Sequence, residues 1–396
     1  MKSFKILMIV MITASLFYSC ETDEPNQSTQ PNIYQKFIGG AFDEDFVTLA
    51  PSQDGGAYIL ATKATGQGDE SHYFLCKTDA YGNTEWTNEL GYGTHGQASD
   101  MIVEEDRILT LGHMTLPDQS VDLVLWSVDL TGNDLDSVSI DVPGQNEKNG
   151  HFVKMSDNTS YMIAAEIWEN NTLTDNVLIK VSPQDFDVMW STNYNIPEIA
   201  KNIVDILQVS SSEIVWLGSN NDQTTGTSTL SINLADTMGL KVETVSIGQN
   251  NNSLNQAYGL YQDRNHYVIT GGSNEQGAFQ GFVLPFFVHG NITIGNKVTL
   301  SRSTEYVLYG FTRSADDNFL VSGYQSTGID NKDMLVAEWT STGEGIWEKV
   351  YENSYGDDIA HQLSTTADHI MLYGTANVFT NQSLTLMKTS IEGELF

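Results

Sequence analysis

Asp54-Gly55-Gly56-Ala57-Tyr58-Ile59-Leu60, and after it Lys77-Thr78-Asp79-Ala80-Tyr81-Gly82-Asn83-Thr84-Glu85-Trp86, decide how this chain folds. Asp and Gly ahead of an aromatic and β-branched run read as a tight turn feeding a strand. The second stretch is a strand that stops on a turn at residues 79–83 and gives way to another strand carrying Trp86. Residues 45–50 precede the first turn and residues 72–78 the second. The block is therefore four short strands in succession, with turns at 51–56 and 79–83.

The block recurs. Third-strand segments are centred on Lys77, Ser127, Lys180, Ile232, Pro285, Glu338 and Lys388, at steps of 50, 53, 52, 53, 53 and 50 residues. The second-strand run repeats in phase, from Tyr58-Ile59-Leu60-Ala61 through Ile214-Val215-Trp216-Leu217-Gly218 to Ile370-Met371-Leu372-Tyr373-Gly374. No stretch carries the 3.6-residue period of an amphipathic helix. Seven copies of four antiparallel strands predict an all-β, seven-bladed β-propeller of four-stranded blades. The copies fill residues 32–396 as one domain. Tyr34-Gln35-Lys36-Phe37 has the pattern of Trp347-Glu348-Lys349-Val350. The N-terminal strand is thus expected to complete the last blade and close the ring, which hides sheet edges that would otherwise pair with other chains.

Composition narrows the function. The 396 residues hold 18 Lys+Arg against 51 Asp+Glu, a formal charge of −33. That balance excludes nucleic-acid binding and adhesion to anionic lipid, both of which need basic surface. Two cysteines cannot build a disulfide framework or a zinc finger. Residues 1–19 read as a targeting segment. Lys2 and Lys5 open it, residues 6–17 form an almost wholly apolar run too short to span a bilayer, and Tyr18-Ser19-Cys20 ends it. A small residue before a cysteine at the end of such a run resembles a bacterial lipoprotein signal. The resemblance implies cleavage before Cys20 and acylation there, an anchor worth about 0.8 kcal/mol per buried methylene. Residues 20–31 form a polar tether, with Glu21, Asp23 and Glu24 at its start. This acidic start resembles the signal that places lipoproteins of the Bacteroidota on the outer face of the outer membrane. Loss of Lys2 and Lys5 with the signal takes the formal charge from −33 to −35.

The Asp54–Leu60 and Lys77–Trp86 stretches, with Ser341-Thr342-Gly343-Glu344-Gly345-Ile346-Trp347, resemble the repeat of Bacteroidota surface and secreted propeller proteins, distantly related to quinoprotein propellers. That resemblance implies fold and compartment, and no common reaction. The spacing of Gly82 to Trp86 and of Gly343 to Trp347 is similar to the tryptophan-docking motif, in which a Trp packs between neighbouring blades. It implies packing and no cofactor, since quinone chemistry would need an adjacent cysteine pair with its Ca2+ ligands, and Cys76 is the only thiol left once Cys20 is acylated.

Motifs for chemistry are sparse. Ser52-Gln53-Asp54-Gly55-Gly56 fits the start of a sialidase Asp-box but falls between the wrong strands, and the mature chain has only Arg107, Arg264, Arg302 and Arg313. Turn chemistry accounts for it. The histidines show no metal-ligand spacing, and Asp129, Asn133, Asp134 and Asp136 lack the spacing and distal Glu of a calcium loop, so no metal and no catalytic residue is assigned. Cys76, in an apolar strand, is expected to be inert core. What remains is geometry. In a propeller the first strand of each blade lines the central channel, and the loops entering those strands form one mouth. Asp45, His95, Gln97, Gln256, Glu305 and Asp358 fall there, a carboxylate-rich rim that could take a cation or a basic partner. The sequence thus points to a monomeric, surface-anchored propeller that binds a protein or a glycan and touches the membrane only through its lipid. A periplasm-facing outer-membrane assembly or scaffold lipoprotein and a polysaccharide-active enzyme are the competing readings.

Overall fold

The computed structural model describes residues 33–66, 70–91, 95–194, 202–222, 227–248, 255–275, 278–299, 304–328, 331–352, 356–378 and 381–395. The signal segment, Cys20 and the tether lie outside them, as do Arg302 and Phe396. Every described strand belongs to one of seven antiparallel sheets, six of them running in chain order from an inner to an outer strand. The inner strands are Glu44–Pro51, Gly96–Val103, Glu147–Lys154, Asn202–Ser210, Asn255–Asp263, Tyr306–Arg313 and Asp358–Thr365, which define blades 1 to 7. In blade 1 the strands are Glu44–Pro51, Ala57–Ala64, Ser71–Thr78 and Thr84–Leu90, each starting within one residue of the predicted position. The outer strand of blade 5 is split into Ile292–Ile294 and Val298–Thr299. This is a seven-bladed β-propeller.

Ring closure follows the expected route. Tyr34–Ile38 pairs antiparallel with Asn381–Ser390 and supplies the fourth strand of blade 7, in register from Tyr34 opposite Lys388 to Ile38 opposite Leu384. Tyr34 therefore occupies the position that Trp347, opposite Glu338, holds in blade 6. The repeat phase needs one correction. Lys77 lies opposite Trp86, and the residue with that role in blade 4 is Leu234, opposite Glu243, two places beyond Ile232. A bulge just after this position, present in blades 1, 2, 3, 4 and 6, marks the equivalence.

Four of the seven blade junctions share one recurring contact. Trp86 of blade 1 lies against Gly132 in the hairpin turn of blade 2, so close that a Cβ on Gly132 would come 2.7 Å from the indole. Trp190 meets Gly239, Trp347 meets Gly393, and Tyr34 meets Gly82 in the same way across three other junctions. All four glycines have positive φ, from +73° to +91°. Glycine takes that conformation without strain and leaves room for the ring. Apolar faces of adjacent blades fill the space between them: Leu109, Leu111 and Leu125 of blade 2 share one cluster with Tyr161, Ile163 and Ile179 of blade 3. The turns confirm the reading by turn chemistry. The Asp54 carboxylate accepts from the Gly56 amide (3.0 Å), from Lys77 Nζ (2.7 Å) and from Ser52 Oγ. Asp129 accepts from the amides of Thr131 (2.8 Å) and Asn133 (2.9 Å). Cys76 is fully buried, with its thiol pushed up to about 12 by burial, and is inert core.

Candidate functional site

Each inner strand carries a β-bulge at the same place, and that single irregularity builds the axial channel. Ladder register slips between Phe46 and Thr48, Ala98 and Asp100, Lys148 and His151, Ile203 and Asp205, Ala257 and Gly259, Leu308 and Gly310, and Ala360 and Gln362. Alternation alone would send neighbouring residues to opposite faces, whereas a bulge re-aims the side chains beside it. One cavity of about 140 Å³ touches all seven inner strands, through Phe46, Thr48, Asp100, His151, Asp205, Tyr258, Tyr309, His361 and Gln362 among others.

The channel has two unlike halves. Blades 2, 3 and 4 contribute Asp100, His151 and Asp205, one ligand atom of each lying within 4.8 Å of the others. His151 Nδ1 stands 4.0 Å from Asp100 Oδ2. Burial holds the His151 imidazole down at about 4, so it is neutral at pH 7. Burial raises both carboxyls above their ordinary range, and the charge of Asp100 raises Asp205 further. Two carboxylates this close in a low-dielectric channel cannot both stay bare anions, so they share a proton or neutralise a cation. One imidazole and two carboxylates form a donor set that a divalent cation accepts. Asp100 also has a structural task. Its Oδ2 accepts the Phe152 amide of blade 3 (2.9 Å), just as Gln362 Oε1 of blade 7 accepts the Leu49 amide of blade 1 (3.1 Å). Blades 5, 6, 7 and 1 furnish an aromatic wall: Tyr258 stacks on Tyr309 (4.3 Å between centroids), Tyr309 meets His361 edge-on (4.8 Å), and His361 stacks on Phe46 (5.5 Å).

The six rim residues read from the sequence sit at or just before the starts of inner strands. Their side chains differ in role. Asp45, His95 and Gln97 are exposed, while Gln256 and Glu305 are half-buried. Gln256 Oε1 accepts from the Tyr258 hydroxyl (2.5 Å) and Glu305 Oε1 from the Tyr324 hydroxyl (3.3 Å). Asp358 is buried, and its Oδ1 accepts the Asn377 amide (3.1 Å). Asp100, His151 and Asp205 lie at the bulges within the inner strands, beyond the strand entries from which the rim residues are read. The available signal was a polar residue directly before an apolar one at the same phase of four copies, Asp100-Met101, His151-Phe152, Asp205-Ile206 and Gln362-Leu363, where blades 5 and 6 carry Gly259 and Gly310.

Larger concavities open on the opposite face, where inner and second strands turn. One of about 510 Å³ lies between blades 1 and 2 and is lined by residues 50–54, Tyr58, Val103, Glu104, Glu105 and Leu130. A second, of about 470 Å³, shares Val103, Glu104 and Glu105 and continues to Asp106 and Lys154 of blades 2 and 3. Together they make a groove across three blades, with Asp54, Glu104, Glu105 and Asp106 against Lys154. Glu104 anchors its middle, accepting from Lys154 Nζ (2.6 Å), the Tyr161 hydroxyl (2.6 Å) and Arg107 Nε (2.8 Å).

No protein-family model and no curated protein matches the chain. Solved structures do. Drosophila Semaphorin 2a is 9% identical with a TM-score of 0.56, over 91% of this chain and 75% of that one. A puromycin hydrolase is 10% identical with a TM-score of 0.55, over 88% of this chain and 54% of that one. A protein of unknown function from Dyadobacter fermentans DSM 18053 is 10% identical with a TM-score of 0.51, over 91% and 99%. The chain spans about half the length of the puromycin hydrolase. At such identities the likeness is one of fold, and function has to come from the site.

Proposed function

We propose that this chain is a lipid-anchored outer-membrane protein, exposed at the cell surface, whose propeller is a non-catalytic binding module. The observation that carries the binding reading is where open space lies. The axial cavity, at about 140 Å³, falls below the roughly 300–1,000 Å³ of small-molecule sites. The wider groove runs over the face of a closed, rigid ring across three blades. Its carboxylates favour a protein partner presenting Lys or Arg, with a glycan as the other candidate. The anchor rests on the apolar run ending at Cys20 and on the acidic tether behind it.

Capture from the native envelope and a glycan array test the binding reading. The exposed pair Glu105→Lys with Asp106→Lys is expected to weaken capture of a protein partner at least tenfold, and unchanged capture rejects the groove. Hydrolysis of a polysaccharide, abolished by one Asp or Glu substitution, would overturn the non-catalytic reading. Cys20→Ala is expected to release the protein from membranes. Protease added to intact cells is expected to degrade the wild type, and protection there would place the ring in the periplasm.

A further inference from the structure

At the mouth end of the ring, the start of one blade's third strand abuts the start of the next blade's inner strand. Three of the seven junctions close with a neutral hydrogen bond. Ser71 Oγ donates to the Gly96 carbonyl (2.8 Å), Ser228 Oγ to the Asn255 carbonyl (2.6 Å), and Gln280 Nε2 to the Thr304 carbonyl (3.1 Å). Between blades 6 and 7 the pair is opposite in charge, Lys332 Nζ on Asp357 at 2.8 Å. Between blades 2 and 3 it is like against like. Asp122 of blade 2 and Glu147 of blade 3 meet Asp141 of the connection between them, with one oxygen of each within 4.8 Å of the others.

Burial makes this junction costly. Asp122 is 6% exposed and Glu147 0%. Asp122 Oδ2 accepts from Ser139 Oγ (3.0 Å), but neither oxygen of Glu147 has a donor. The amides of Val142 and of Glu147 itself favour its charged form but make no hydrogen bond to it. Asp118 adds a further negative charge near Asp141. Lys148 follows Glu147 on the strand, but its Nζ sits 4.8 Å over the Trp168 ring. Gln145, in the same connection, has a buried Oε1 that also lacks a donor. A carboxylate that is buried, unpaired and pressed against two others needs a counter-charge. The channel cluster is the weaker candidate, because Asp100 already accepts the Met101 and Phe152 amides.

We propose that the blade 2–blade 3 junction binds a hard divalent cation of the Ca2+ class through Asp122, Asp141 and Glu147. An all-oxygen donor set with no imidazole or thiolate selects Ca2+ over borderline metals, and exposed Asp141 leaves room for water to complete six to eight ligands. The cation locks two blades at the rim of the ring.

The test is a Ca2+ titration of chelator-treated, full-length protein in detergent, read by calorimetry and by thermal unfolding at pH 8. A single site is expected, with Tm rising about 3 °C at a hundredfold excess over Kd, and with Mg2+ binding at least tenfold more weakly. Asp141→Asn, at an exposed position that folding tolerates, is expected to lose both heat and Tm rise, while Asp205→Asn in the channel keeps them. No response to Ca2+ in the wild type, or one that survives Asp141→Asn, overturns the proposal. So does Glu147→Gln raising Tm at pH 8 with no effect of Ca2+ on the wild type, since the junction then holds a proton.

Discussion

Gly132→Ala isolates the contact that joins blade to blade. Gly132 sits at φ +91°, and a Cβ there would come 2.7 Å from Trp86 of the preceding blade. Two costs add. Holding a side chain in the left-handed region costs about 1–2 kcal/mol. Pushing the indole aside in a packed junction costs about 1–3 kcal/mol more. Unfolding entropy near 2.1 cal/mol/K per residue gives a ring of this size about 0.8 kcal/mol per degree, so a total near 3 kcal/mol lowers Tm by about 4 °C. Gly290→Ala separates the two costs, because Gly290 has φ +75° and nothing within 4 Å of a Cβ. It should carry the backbone strain alone, about 2 °C. Trp86→Leu combined with Gly132→Ala should then cost less than the two singles together, with a coupling of about 1 kcal/mol or more. Thermal unfolding of the four proteins decides it. Equal losses at Gly132 and Gly290, or additive behaviour of the pair, would refute interblade docking as the reason for the glycine.

Three further outcomes follow from particular residues. Glu44 is fully buried, and burial pushes its carboxyl up to about 7; its contribution to stability is whole below the unfolded value near 4.5 and is lost as pH rises through 7, so Glu44→Gln should raise Tm by about 2 °C at pH 8 and leave it unchanged at pH 4.5. Glu104 is held down at about 2 by hydrogen bonds from Lys154, Tyr161 and Arg107 that outweigh the opposing effect of burial; its stabilisation is present above pH 4.5 and lost as pH falls toward 2, so Glu104→Gln should cost about 2 kcal/mol at pH 7 and flatten the acid limb of a Tm–pH curve. Deleting residues 33–38 bares the edge of Asn381–Ser390, and the truncated chain should elute as aggregate in size-exclusion chromatography where Tyr34→Ala, which only empties the Gly82 contact, stays monomeric with a lower Tm.

Much of the ring was legible because its signals are local. Turn residues at Asp54–Gly56 and Asp79–Asn83 bracket runs of strand-forming residues, and the ladder places its strands where those runs lie. Closure was legible too, since Tyr34 to Phe37 had to pair with something and matched Trp347 to Val350. The Gly–Trp spacing showed that a docking contact exists, but the partner of Trp86 is Gly132 of the next blade and not Gly82 of its own. Pairing a residue with one 46 places further on is a property of the closed ring, not of any window of sequence.

The site follows the same division. Composition and repeat length determined an acidic seven-bladed ring. Only the tertiary structure decided what lies inside. A bulge in every inner strand changes the face that residues such as Asp100, His151 and Asp205 present. Blade packing brings Asp122 and Glu147 together although 24 residues separate them along two different sheets. Local sequence encodes turn and strand through backbone preference, whereas which charges meet depends on how the blades are packed around one axis. There the low dielectric makes an unpaired carboxylate costly enough to demand a partner.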